Sequence, residues 1–145
     1  MSDNLDLARR AVACKHWRWQ SGMEEVRRGR VMDVVTHDGE TLARALVRNR
    51  STAYMDGSVN LMWTAVTSAW LPDLNDPATV GCLLAMVRVA YGDETLCTRS
   101  MATVKDSAWT DGPWWVQSTG SHVQICVVSG DTEAAALVAA LEAAQ

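Results

Sequence analysis

The chain has no phenylalanine and only two tyrosines among its 145 residues, so its aromatic surface is almost wholly indole. Other absences narrow the possibilities further. No apolar run approaches the roughly 18 residues needed to cross a bilayer, which argues against a membrane-spanning helix. The opening MSDNLDLARR begins acidic and has no apolar h-region, so no secretory signal is read there and a cytoplasmic location is expected. Four cysteines (Cys14, Cys82, Cys97, Cys126) are too few and too scattered for a disulfide framework, and none forms a Cys-x-x-Cys pair. They are read as small buried hydrophobes.

Recognisable chemistry is missing as well. There is no Gly-rich phosphate loop, no G-x-S-x-G elbow and no His-Glu-x-x-His. A metal site needs three or four convergent ligands. His122 and Cys126 share a strand face but lie about 13 Å apart along it, and Cys14 and His16 fall on different faces of the first helix. Cys82 sits near a helix start, where the dipole favours a thiolate, but Val80, Leu83 and Leu84 beside it point to the core. The expectation is no catalytic residue, no metal and no cofactor.

Charge is unevenly spread. Residues 1–50 hold ten basic residues against seven acids, a balance of +3, and residues 51–145 hold three against ten, a balance of −7. General nucleic-acid binding needs a concentrated basic surface and is disfavoured. A local arginine patch holding one small anion remains compatible with the pattern.

What is present is tryptophan: Trp17, Trp19, Trp63, Trp70, Trp109, Trp114 and Trp115. Each brings a large apolar face and one N–H donor, suited to a core, an interface or a pocket for a flat ligand. A surplus of such residues also fits a homo-oligomer. Around them the pattern predicts one α+β domain over residues 1–145, an antiparallel sheet with helices packed mainly on one face. A first helix is expected from Asn4 to Arg18, capped by Ser2 or Asp3, with Leu5, Ala8 and Val12 beside Leu7 and Ala11. Strands are expected at Gly29–Thr36 and Thr41–Val47 around a His37-Asp38-Gly39-Glu40 turn, within Val59–Trp70, near Met101–Val104, at Trp114–Ser118 and at His122–Val128. Asp76 should cap a helix that has Pro77 in its first position, ends at Gly92, and forms the centre of the core through Val80, Leu83, Leu84 and Val87. Gly81 inside that helix costs about 1 kcal/mol against Ala, which suggests close packing or ligand approach. Asp131 or Thr132 should cap a last, Ala-rich helix with a narrow stripe of Leu137, Val138 and Leu141.

Two constellations carry the binding hypothesis. Trp17-Arg18-Trp19 sits near Arg27 and Arg28. On a helix, residues two apart diverge by about 200°, so one indole would pack inside and the other face out. A base stacked on an indole and a phosphate held by arginine is the chemistry such a wall offers. Trp114-Trp115 on a strand would likewise split, one buried and one exposed as an interface anchor.

The block Leu7-Ala-Arg-Arg-Ala-Val-Ala-Cys14 with Trp17-Arg-Trp19 and Gly22-Met23 resembles a family of small bacteriophage and prophage proteins. So do Leu71-Pro-Asp-Leu-Asn-Asp-Pro-Ala-Thr-Val-Gly-Cys-Leu-Leu-Ala85 and the ending Glu133–Ala144. The likeness spans most of the chain and departs at Gln20-Ser21, where an apolar residue and proline are expected. It implies a phage accessory protein of the host cytoplasm and brings no catalytic residue with it. Proteins of this kind often counter host defence, some by sequestering cyclic or ADP-ribose-type nucleotides and some by binding CRISPR effectors. A signal-sequestering family is similar at Ala13, Trp17 and Gly22-Met23. The leading expectation is therefore a non-enzymatic protein that binds a nucleotide-like signal through Trp17, Arg18, Trp19, Arg27, Arg28, Trp114 or Trp115. The alternatives are a protein–protein inhibitor of a host defence effector and a virion or assembly component. An enzyme with a site of unfamiliar pattern is the least favoured.

Overall fold

The computed structural model describes residues 2–46, 63–100, 114–119 and 126–144. The chain runs α1 (Ser2–Ala13), β1 (Glu24–Glu25), β2 (Gly29–His37), β3 (Glu40–Leu46), β4 (Thr64–Ala65), α2 (Pro77–Tyr91), β5 (Leu96–Ser100), β6 (Trp114–Ser118), β7 (Cys126–Gly130) and α3 (Glu133–Ala143). The class is α+β, as the pattern predicts. The strands divide into two antiparallel sheets, ordered β1-β2-β3-β4 and β5-β6-β7, where the sequence suggested one.

The division follows from α3. Leu137, Val138 and Leu141 are buried, and so are Ala134, Ala136 and Ala140. The apolar surface is thus wider than the narrow stripe expected, and a helix apolar over most of its circumference needs cover on several sides. α3 packs on β5, β6 and β7 and also against α1 and α2. It, rather than α2, is the most buried helix. Its N-cap is Thr132, whose hydroxyl accepts from the Ala135 amide at 3.1 Å. At its entry a Cβ on Gly130 would clash with the Ala136 nitrogen and meet the Ala135 carbonyl carbon at 2.7 Å. The close backbone approach that the sequence suggested for Gly81 therefore occurs at Gly130. Around Gly81 nothing lies within 4 Å of a Cβ.

α2 begins and ends where its residues predict. Asp76 caps it, Pro77 opens it, and Gly92 closes it in the left-handed conformation at φ 62°. Its buried face is Thr79, Leu83, Met86 and Val87, with Val80 and Leu84 half-buried. The β2–β3 turn is also as expected: Asp38 (φ 50°) and Gly39 (φ 80°) are both left-handed, the geometry that matches strand twist.

α1 stops at Ala13 instead of reaching Arg18. Trp17 and Trp19 are both buried, 6% and 8% exposed. A continuing helix would turn them to nearly opposite sides, so burying both requires the chain to leave the helix. Leu5, expected on the apolar stripe, is exposed, while Leu7, Ala8, Ala11 and Cys14 are buried. β5 (Leu96–Ser100) falls where no strand was expected. The strand expected near Met101–Val104 lies outside the described residues, as do Val59–Met62, His122–Ile125 and Trp109. β1 was not foreseen. Backbone bonds tie it to the lead-in of α2, from Asp73 N to Glu24 O at 2.7 Å and from Val26 N to Leu71 O at 3.0 Å.

Candidate functional site

Trp17 meets Trp19 edge-on with ring centroids 5.6 Å apart, and Trp19 meets Trp70 likewise at 5.8 Å. The three indoles form a chain in the core beside Met23 and Met86. The expectation that one of Trp17 and Trp19 faces outward is corrected here: both rings are committed to the interior, and no open stacking wall is left. Both nevertheless line the floor of a cleft of about 650 Å³ between the end of α1 and the β2–β4 sheet.

Hairpin register builds the opposite side of that cleft. Thr36 pairs with Thr41 and Val34 with Ala43 across the Asp38-Gly39 turn. Residues two apart share a sheet face, so Val34, Thr36 and Thr41 line up together with Ala43, which is fully buried. The Val66 amide donates to Thr41 O at 2.8 Å and brings Thr67 and Ser68 to the rim. The floor is apolar (Val12, Trp17, Trp19, Val34, Val66), and the walls carry four hydroxyls, from Thr36, Thr41, Thr67 and Ser68. Among the described residues Arg18 is the cation of the lining and Glu40 the anion. Arg18 Nη1 donates to Lys15 O at 3.0 Å and to Trp17 O. That anchors the guanidinium at the mouth, and its other nitrogens have no partner among the described residues. The Trp17 Nε1–H is buried without an acceptor among them. Such a cleft can hold a polar ring system on an apolar floor, hydrogen-bond its hydroxyls, and take an anionic group on Arg18.

Neither a protein-family model, nor a curated protein, nor a solved structure matches this chain. The cleft has to be read from its own residues.

Of the seven residues singled out in the sequence, Trp17, Arg18 and Trp19 meet at this cleft. The other four do not line it. Arg28 lies over the Trp70 ring, 4.5 Å from its centroid, and Arg27 is exposed on the β1–β2 turn. Both of their amides donate to Glu25 Oε2, at 2.9 Å and 2.6 Å. Trp114 and Trp115 do not split into a buried and an exposed ring. Both are half-buried. Trp115 Nε1 donates to Gln117 Oε1 at 3.1 Å, and Trp114 lines a second, separate cleft. Sequence reasoning missed Thr36, Thr41, Thr67, Ser68 and Glu40. Threonine and serine are too common to signal a site, although the parity of the Asp38-Gly39 hairpin does place Thr36 and Thr41 side by side.

A polar cluster at the α2 N-terminus was also missed. Arg30 grips Asp76 with two bonds of 2.8 Å, contacts Glu24 at 3.2 Å and donates to Gly22 O. Thr79 donates to Asp76 at 2.8 Å and accepts from the Glu24 amide at 2.7 Å. The Arg30 guanidinium, followed by the Thr79 donors, holds the Asp76 carboxyl at about 2. These groups satisfy one another, so the cluster is a joint between sheet and helix. Cys82 lies one turn further on, and burial together with the Asp76 charge pushes its thiol up, against the thiolate that a helix start favours. Cys14, Cys82 and Cys97 are free thiols. Among the described residues no group of three His, Cys, Asp or Glu side chains is placed to hold a metal ion. None of their helices is long and apolar enough to cross a membrane.

Proposed function

We propose that this protein is a non-enzymatic accessory protein of phage type that sequesters a nucleotide-like signal in the Trp17–Arg18–Trp19 cleft. The observation that supports the reading is the meeting of an apolar indole-edged floor, a ring of hydroxyls and an anchored guanidinium in about 650 Å³, a volume in the usual range for small-molecule sites. Arg18 takes the phosphate. Thr36, Thr41, Thr67 and Ser68 meet the sugar and the polar base edges. The base lies against the floor that Trp17 and Trp19 help to form. Titration of cyclic dinucleotides and ADP-ribose forms, followed by tryptophan fluorescence and calorimetry, tests this. One of them should bind, and Arg18→Ala should weaken it about 10- to 100-fold, the worth of a charge-assisted hydrogen bond of about 1.5–3 kcal/mol. A flat response across both ligand classes would overturn the reading.

A second reading, inhibition of a host protein, is favoured by a different surface. Trp63 is 43% exposed with the Arg44 guanidinium 4.7 Å above its ring. Met32 and Val35 on the same four-stranded sheet are also exposed. An exposed indole with an arginine beside it is the composition of an interface anchor. Capture of a stoichiometric host protein, lost in Trp63→Ala and kept in Arg18→Ala, would favour this alternative.

A further inference from the structure

Gly81 lies inside α2 with no structural reason to be glycine. Its φ is not left-handed, and nothing lies within 4 Å of the place its Cβ would occupy. Neither strain nor close packing accounts for a residue that weakens a helix. The vacant space is part of the second cleft, of about 430 Å³, to which Trp114 of β6 and Val80 and Leu84 of α2 contribute the apolar surface.

The polar groups of this cleft are uncharged or already engaged. Glu133 is the charged residue of its lining, and its carboxylate accepts from Thr98 Oγ1 at 2.5 Å. Among the described residues no lysine or arginine lines it. Asn4 Nδ2 donates to Asn75 Oδ1 at 3.0 Å across the rim. That bond leaves the Asn4 carbonyl as an acceptor and the Asn75 amide as a donor, neither with a partner among the described residues. Side-chain amides of this kind match a heterocycle edge that carries a donor beside an acceptor, as asparagine does with adenine. Indoles offer sequence-tolerant contact to planar rings.

We infer that the Gly81–Trp114 cleft is a second binding site, for an uncharged planar heterocycle of purine type, kept open by the missing side chain at position 81. It differs from the Arg18 cleft in that no described lining residue is a cation, so it selects a neutral ring where the other selects an anion.

The test is a titration of the full-length protein with adenine, read by calorimetry and by tryptophan fluorescence. Wild type should bind with a dissociation constant below a millimolar. Gly81→Leu fills the cleft with a better helix former and should weaken binding at least tenfold without lowering the thermal midpoint. Asn75→Ala, at an exposed position, should weaken it several-fold. Absence of binding at millimolar adenine in wild type, or equal binding by wild type and Gly81→Leu, would overturn the inference.

Discussion

Asp76 receives the Arg30 guanidinium, the Thr79 amide and the Thr79 hydroxyl at once. Those donors favour its charged form and lower its carboxyl from 3.8 to about 2. A carboxyl whose value is lower in the folded state adds stability above its unfolded value and loses it as pH falls through the folded one. The contribution, of the order of 2 kcal/mol, is therefore complete above pH 4 and fades toward pH 2. Asp76→Asn should keep most of the cap, since Asn caps about as well as Asp. It should flatten the acid limb of a urea-midpoint-against-pH profile between pH 4 and pH 2. An unchanged acid limb would mean that other carboxylates set it. Asp76→Ala should cost about 2–3 kcal/mol at neutral pH, because the cap is lost and a half-buried guanidinium loses its partner. Of this arrangement the cap was legible in Asp76-Pro77 alone. Arg30 was not, because it stands 46 residues away and on a strand with nothing in its local pattern to mark it.

Two glycines separate local from tertiary causes at the level of elements. Gly130 is held by the backbone of α3, and backbone atoms cannot move aside as a side-chain tip can. Gly130→Ala should force β7 away from the helix and lower stability by about 1–3 kcal/mol, measured as a shift in denaturant midpoint. Gly81→Ala meets open space and should raise stability by about 0.5–1 kcal/mol, the helix-propensity difference. A destabilised Gly81→Ala would show that α2 packs more tightly there than its surroundings indicate. Helix α1 illustrates the opposite relation of sequence to element. Its pattern runs on to Arg18, yet the helix ends at Ala13 because two indoles two positions apart must both be buried.

Glu25 joins the parts of the molecule that the sequence keeps apart. It is almost fully buried, and it accepts from the Leu71 amide at 3.1 Å as well as from the amides of Arg27 and Arg28. Together with the Glu24–Thr79 bond it fastens the four-stranded sheet to the segment that leads into α2. Removing the carboxylate leaves three amides short of an acceptor, each costing about 1–3 kcal/mol when buried. Glu25→Ala should therefore lower stability by about 3 kcal/mol or more in a urea titration, and Glu25→Gln, with one oxygen left, by less. A loss below about 1 kcal/mol would mean that water replaces the carboxylate. The joint also sets the frame of the Arg18 cleft, whose walls come from α1, β2, β3 and the stretch after β4.

Local chemistry in the chain determined the α+β class, the Asp38-Gly39 hairpin, the ends of α2, the Trp114–Ser118 strand and a cap for α3 at Asp131 or Thr132. Each depends on contacts within a few residues, which neighbouring side chains and backbone preferences set directly. Tertiary structure alone decided that the described strands form two sheets, that Trp17 and Trp19 are both interior, that Arg27 and Arg28 stay clear of the cleft, and that Arg30, Glu25 and Gly130 are the joints. Those outcomes turn on which surfaces compete for burial against α3 and the indole cluster. That competition is between residues tens of positions apart and leaves no periodic trace in the chain.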